Sequence, residues 1–224
     1  MVIFVTGRPP RWMAPVAEAT GHTGLAVCAN GAILYDLGEE RIIREYALQP
    51  ADLRAVAGKL LEALPELRFA VERSGILSHE PAYLPAWDDD SLRVVPRDEL
   101  FADAATKLLV RYAGADPDEL LAAAQAAVGD LVSMTRSSVD ELLEISAAGV
   151  TKASGLERFA RQHGVSAAEV IAFGDMPNDL PMLAWAGHPV AVANAHPDVL
   201  AIAAEVTASN DDDGVARVLE RLFG

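Results

Sequence analysis

Three polar side chains, Asp175, Asn178 and Asp179, follow a short apolar run in the segment Glu169–Leu183. The apolar run predicts a buried strand, and the glycine and proline after it predict a turn and the first position of a helix. Open α/β sheets bind ligands just beyond the carboxyl ends of their strands. Two carboxylates and an amide placed there could hold a divalent cation and a phosphate. Alternatively, Asp175 and Asn178 could simply cap the helix.

A second strand-to-helix junction lies at the start of the chain. Residues 2–5 are apolar and predict a buried strand, and Thr6, Gly7 and Arg8 follow before helical spacing resumes near Trp12. A hydroxyl beside the N–H groups of a glycine turn, at a helix N-terminus, can hold a phosphate. An ordinary threonine cap would leave the same pattern, so these residues alone leave both interpretations open.

Two further polar residues are candidates for the same chemistry. Lys152 follows Thr151, a good N-cap, and so lies in the first turn of a predicted helix, where the helix dipole disfavours a cation. A cation aimed at a phosphate would explain this placement, whereas a solvated lysine would tolerate a cost of roughly a few tenths of a kcal/mol. Asn30 follows another short strand and could face a substrate, although a turn is the simpler interpretation.

The elements that must position these residues alternate between strands and helices at both ends of the chain. Between them the pattern changes to a hairpin, amphipathic helices and several short strands. We therefore predict an α/β fold with a Rossmann-like parallel-sheet core, residues 1–36 and 147–224, and an inserted α+β cap domain, residues 37–146. The acidic run Asp88–Asp90 in the insertion is interpreted as a solvated loop rather than a metal site.

Charge and composition narrow the classes of partner. The chain has 224 residues and a net charge of −15, which disfavours nucleic acid and anionic membranes because phosphate backbones demand a basic face. A local site with a bound metal could still accept a small phosphorylated metabolite. The single cysteine, Cys28, lies in an apolar run and is predicted to be buried. The sequence shows neither a membrane span nor a secretory signal, so we expect a cytoplasmic protein, and it does not indicate an oligomeric state.

With these motifs in place, the chain resembles the haloacid dehalogenase-like (HAD) hydrolases, specifically the Cof-type sugar-phosphatase branch with an inserted α+β cap. The resemblance covers the whole chain, and the segment Gly174–Leu183 matches the family pattern GDxxNDxxML at nearly every position. The other segments that carry it are Thr6–Arg8, Asn30–Ala32, Gly149–Lys152 and Asn210–Ala216.

The resemblance implies a Mg²⁺-dependent phosphatase that acts on small sugar phosphates or similar metabolites through an aspartyl-phosphate. Asp175 would bind Mg²⁺, with Asp179 as the second metal-site carboxylate, and Lys152 and Asp175 would be the catalytic residues that this chain retains. The residues implied to contact the substrate or its phosphate are Thr6, Gly7, Arg8, Asn30, Lys152 and Asn178.

One family motif has no counterpart in this sequence. The first motif, DxDGT, carries the nucleophilic aspartate and its acid/base partner and precedes the TGR motif, yet only five residues precede Thr6 and none is acidic. The chain as given is therefore expected to be inactive. One explanation, which we favour because the other motifs are intact, is that the natural protein begins upstream of Met1. The other explanation is a short, non-catalytic relative that binds a phosphorylated ligand. For the function itself, a phosphomutase is a third and less favoured hypothesis.

Overall fold

The structure is a computed structural model that describes residues 1–73, 75–85, 92–136 and 141–224. The chain divides into two compact units, residues 1–150 and residues 151–224. The acidic run Asp88–Asp90, predicted to be a solvated loop, lies outside the described residues. The predicted division into a discontinuous core and an inserted cap stays a prediction.

The first unit begins with a four-stranded sheet in the order β1-β2-β3-β4. Its first two strands, β1 (Phe4–Val5) and β2 (Leu25–Cys28), pair in parallel, and the helix α1 (Ala14–Thr20) connects them. The hairpin β3 (Ile33–Asp36) and β4 (Arg41–Glu45) continues the sheet in antiparallel fashion. The predicted hairpin and the order of strand, turn and helix at the start of the chain are therefore confirmed. The strand predicted to be buried over residues 2–5 is shorter, Phe4–Val5, and only half-buried, since it lies at the edge of this sheet, and Val2 is exposed.

A six-stranded sheet in the order β7-β6-β5-β8-β10-β9 forms the rest of this unit. Its pairings are antiparallel except that of β6 with β7. The strands are β5 (Arg68–Arg73), β6 (Ile76–His79), β7 (Arg93–Val94), β8 (Lys107–Arg111), β9 (Val132–Thr135) and β10 (Leu142–Ala147). The helices of this part are α2 (Pro50–Ala63), α3 (Arg97–Leu100) and α4 (Pro117–Val128).

The two faces of the six-stranded sheet differ because successive side chains of a strand point in opposite directions. On one face, Phe69 and Val71 of β5 pack with α2 and α4 in a large apolar core. On the other face, Ala70 of β5 belongs to a smaller apolar cluster, and Glu72 is buried next to it along the strand. The second face therefore combines apolar packing with buried charge.

The second unit contains a three-stranded parallel sheet in the order β11-β12-β13. Its strands are β11 (Ile171–Gly174), β12 (His188–Ala191) and β13 (Glu205–Val206), and its helices are α5 (Lys152–Gln162), α6 (Leu180–Trp185), α7 (Pro197–Ile202) and α8 (Gly214–Phe223). Among the described helices of both units, none has the length and apolar character needed to cross a bilayer. Parallel strands joined by helices confirm the predicted α/β class.

The cysteine in β2 provides a test of the packing of the first unit. Cys28 has no exposed surface, and burial raises the pKa of its thiol to about 12, although nearby Lys107 partly opposes the rise. Since the thiolate is the reactive form, we expect Cys28 of the native chain to resist a disulfide-exchange reagent at pH 8 and to react fully in denaturant. Rapid labelling of the native chain would contradict this packing.

Candidate functional site

The turn after β11 is folded around the side chain of Asp179. A Cβ atom at Gly174 would lie 2.7 Å from the Cβ of Asp179, so the close approach requires glycine. The Oδ2 atom of Asp179 accepts the backbone N–H groups of Asp175 and Met176, each at 3.1 Å. Pro177 then begins the short 3-10 turn that leads into α6, as its fixed φ allows.

A buried ion pair joins this turn to the start of α5. The Lys152 Nζ donates to Oδ1 of Asp179 at 2.6 Å, and the two residues are only 7% and 3% exposed. Lys152 is the first residue of α5, and Thr151 caps the helix by accepting the N–H of Ser154 at 3.1 Å. The carboxylate therefore explains why a lysine lies where the helix dipole is unfavourable, and Lys152 is not a solvated surface residue.

Asp175 and Asn178 complete the set of polar residues in this turn. Asn178 is buried, whereas Asp175 lies at the surface, with its backbone carbonyl accepting the N–H of His196 at 2.8 Å. Partial withdrawal from water and the adjacent Asp179 carboxylate raise the pKa of Asp175, and the Lys152 ammonium partly opposes this. Such a carboxylate gains from a cation placed beside it.

The donor set of this turn fits magnesium. Over residues 1–73, 75–85, 92–136 and 141–224, no group of three or more His, Cys, Asp or Glu side chains is arranged to hold a metal ion. Mg²⁺, however, is commonly held by one or two carboxylates together with substrate phosphates and waters. Both oxygens of Asp179 accept hydrogen bonds from protein groups and so orient the turn, which would leave Asp175 as the better-placed ligand of a bound Mg²⁺.

In the first unit, the segment Thr6–Arg8 continues the parallel pairing of β1 with β2. The N–H of Thr6 donates to the carbonyl of Val27 at 2.8 Å, and the Thr6 carbonyl accepts the N–H of Asn30 at 3.0 Å. The Thr6 Oγ1 accepts the N–H of Arg8 at 3.1 Å, so the hydroxyl proton can be donated to another acceptor. This arrangement suits an anion that needs hydrogen-bond donors.

Asn30 lies in a strained turn after β2. It has φ 55°, between Ala29 at 51° and Gly31 at 100°, and left-handed conformations at non-glycine residues are uncommon and often occur at functional sites. Its side chain is buried and its Nδ2 donates to the carboxylate of Glu144. Asn30 thus forms the turn, as the simpler interpretation proposed, while its contact with substrate stays a prediction.

The structure places the predicted site residues in two groups, one in each unit. The first group comprises Thr6, Gly7, Arg8 and Asn30, and the second Lys152, Asp175, Asn178 and Asp179. Sequence analysis missed Lys107 and Glu144, which form a buried ion pair at 2.8 Å behind the first group. The available signal was the presence of charged residues in two largely apolar strands, Lys107 and Arg111 at the ends of KLLVR and Glu144 within LLEISA.

Comparison with known proteins identifies relatives over nearly the whole chain. A sequence profile of haloacid dehalogenase-like hydrolases matches residues 1–219. The chain is 27% identical over 235 residues to the 5-amino-6-(5-phospho-D-ribitylamino)uracil phosphatase YitU of Bacillus subtilis. That alignment covers 99% of this chain and 84% of YitU.

Solved structures share the fold. SMU.1108c from Streptococcus mutans matches with a TM-score of 0.84 and 20% identity, over 98% of this chain and 84% of that one. BT1666 from Bacteroides thetaiotaomicron, described among phosphatases of the haloalkanoate superfamily, matches with a TM-score of 0.79 and 24% identity, over 98% and 80%. The resemblance drawn from the motifs, and the fold class that it implied, are confirmed.

The different roles of the two aspartates predict different effects on stability. Asp179→Ala removes the acceptor of the Lys152 ammonium and of two backbone N–H groups, and should lower the free energy of unfolding by about 3–5 kcal/mol. Asp175→Ala is the matched control and should change it by less than about 1 kcal/mol, because its side chain lies at the surface. Urea denaturation of both variants measures the difference, and equal effects would contradict the assigned roles.

Proposed function

We propose that this chain, which belongs to the haloacid dehalogenase-like hydrolases, is a magnesium-dependent phosphatase of small sugar phosphates or similar metabolites. The observation that carries the proposal is the buried Lys152–Asp179 pair, which holds Asp175 at the carboxyl end of a parallel strand. YitU, similar over most of both chains, is named for a phosphomonoester of a sugar alcohol, which supports this substrate class. We also propose that the protein is cytoplasmic, because small phosphorylated metabolites occur in that compartment.

The proposed roles follow from the hydrogen-bonding capacity of each group. Lys152 and Asn178 of the second unit would donate to phosphoryl oxygens. In the first unit, the Thr6 hydroxyl and the Gly7–Arg8 backbone have the same capacity to donate to a phosphate. Asp175 would hold Mg²⁺, which when bound neutralises charge on the phosphoryl group as it is transferred. Asp179 would keep both Lys152 and the turn in place.

The nucleophile, we propose, is an aspartate on a strand that these residues do not include. Its carboxylate oxygen attacks phosphorus, the P–O bond to the alcohol breaks, and the leaving oxygen keeps the electron pair and takes a proton from a neighbouring acid. Water then attacks the aspartyl-phosphate, which restores the carboxylate and releases phosphate.

Phosphate release tests this proposal directly. The chain as given and a version extended upstream are assayed with a panel of monoesters, including simple sugar phosphates and 5-amino-6-(5-phospho-D-ribitylamino)uracil, with magnesium or with a chelator. We expect turnover by the extended protein only, and we expect that turnover to depend on magnesium.

In the extended protein, Asp175→Asn should abolish the magnesium-dependent rate, because a charged ligand is lost. An extended protein that is inert with magnesium would refute the proposal.

A second candidate function is that of a non-catalytic protein that binds a phosphorylated ligand. The candidate phosphate-binding groups, among them Thr6 and the buried Lys152, support it, because holding a ligand needs no nucleophile. Calorimetric titration of the chain with sugar phosphates tests this reading. Turnover by the chain as given, or no binding, would count against it.

Lys152 provides a prediction common to both candidates. Lys152→Ala should weaken phosphate binding by about 10- to 100-fold, the loss expected when one charge-assisted hydrogen bond is removed. Titration of the variant and of the parent chain with inorganic phosphate and magnesium measures the change. An unchanged affinity would restrict Lys152 to its structural pairing with Asp179.

A further inference from the structure

Three adjacent strands of the six-stranded sheet place buried charges on one face. Glu72 of β5 lies opposite Lys107 of β8, and Leu109, two residues further along β8, lies opposite Glu144 of β10. Lys107 and Glu144 are therefore diagonal neighbours on the same face, within reach of long side chains. Each of the three charged residues is at most 6% exposed.

These charges contact the segment that contains the predicted phosphate contacts of the first unit. The Nζ of Lys107 donates to Oε2 of Glu144 and to the backbone carbonyl of Gly7, both at 2.8 Å. Glu144 also accepts the side-chain amide of Asn30, and Glu72 pairs with Arg11. A lysine in the sheet thus holds a single peptide group in the loop after β1.

The peptide group that Lys107 holds is the one between Gly7 and Arg8. A peptide unit is planar and trans, so its carbonyl and its N–H point in opposite directions. Fixing the Gly7 carbonyl therefore fixes the direction of the Arg8 N–H, which donates to the Thr6 Oγ1 at 3.1 Å. That hydrogen bond orients the Thr6 hydroxyl, which can then donate its own proton in a hydrogen bond to an anion.

We infer that Lys107 is a positioning residue for phosphate: through the Gly7–Arg8 peptide it sets the Thr6 hydroxyl for a phosphomonoester or inorganic phosphate. The inference rests on the proposed function. A buried ion pair is seldom more stabilising than apolar residues of similar size, so stability alone does not account for Lys107 and Glu144 at this place. The hydrogen bond from Lys107 to the Gly7 carbonyl accounts for the lysine, because an apolar side chain could not donate that bond.

A pair of substitutions separates positioning from simple structural support. Lys107→Met removes the donor to Gly7 but also the ammonium partner of Glu144, and should be destabilising. Lys107→Met combined with Glu144→Gln restores charge balance and keeps an acceptor for Asn30, so stability should recover while the donor to Gly7 stays absent. Glu144→Gln alone keeps that donor, and Lys59→Met, on the exposed side of α2, is the matched charge control.

The experiment titrates the full chain and these variants with inorganic phosphate in the presence of magnesium, alongside urea denaturation. We expect the double variant to unfold near the parental midpoint yet bind phosphate about tenfold more weakly, the effect of one misdirected hydrogen bond. Its Arg8 amide resonance should also shift before ligand is added, whereas Lys59→Met should match the parent.

The outcomes distinguish this inference from the proposed function. A stable double variant that binds phosphate as tightly as the parent overturns the role of Lys107 and leaves the proposed function intact. If Lys107→Met binds phosphate weakly and the double variant regains both stability and phosphate affinity, the positioning role of Lys107 is overturned as well. Lys107 would then affect binding only by stabilising the fold. A parent chain that binds no phosphate overturns the role of Lys107, whereas the phosphatase proposal is decided separately by turnover of the extended protein.

Discussion

The carboxylate of Asp179 is the group on which the candidate site of the second unit depends. It accepts three donors, the Lys152 ammonium and the N–H groups of Asp175 and Met176, from two elements that are far apart in the sequence. Removing an ammonium and a carboxylate from water is costly, and the cost is offset only when hydrogen bonds satisfy both groups. The geometry of the turn is therefore tied to the placement of a single side chain.

A similar arrangement occurs in the first unit. There Lys107 is held by Glu144 and donates to the Gly7 carbonyl, much as Lys152 is held by Asp179 beside the turn after β11. In each case a buried lysine and its carboxylate partner hold the backbone in place next to residues that are proposed to bind a phosphate. Rigid positioning of donors suits phosphoryl transfer, in which the protein contributes mainly orientation and electrostatic stabilisation.

Sequence reasoning was accurate where the signals are local. The helix α4 over residues 117–128 carries such signals, because Asp116 caps it and Pro117 suits its first turn. The turn at Gly174 and the helical start at Pro177 were predicted for similar reasons. These signals act over a few residues and need no knowledge of the tertiary structure.

The parts of the site that sequence reasoning did not reach depend on contacts between distant residues. Lys107 and the Gly7 carbonyl are separated by 100 positions and lie in or beside different sheets, so only the tertiary fold brings them together. The sequence suggested Asp179 as a metal ligand, but Lys152, 27 positions away, occupies one of its oxygens. The periodicity of apolar residues indicates which side chains point inward, but it does not indicate which of these side chains contact one another.

The large negative charge of the chain and its proposed anionic substrate are compatible because the two act over different distances. At physiological ionic strength, charges are screened over about 8 Å, so the net charge of −15 contributes little inside a contact with Lys152 or Thr6. A long polyanion would extend well beyond that distance and meet the acidic surface. A single phosphate group would not, so a charge distribution that disfavours nucleic acid is compatible with the binding of a small phosphorylated molecule.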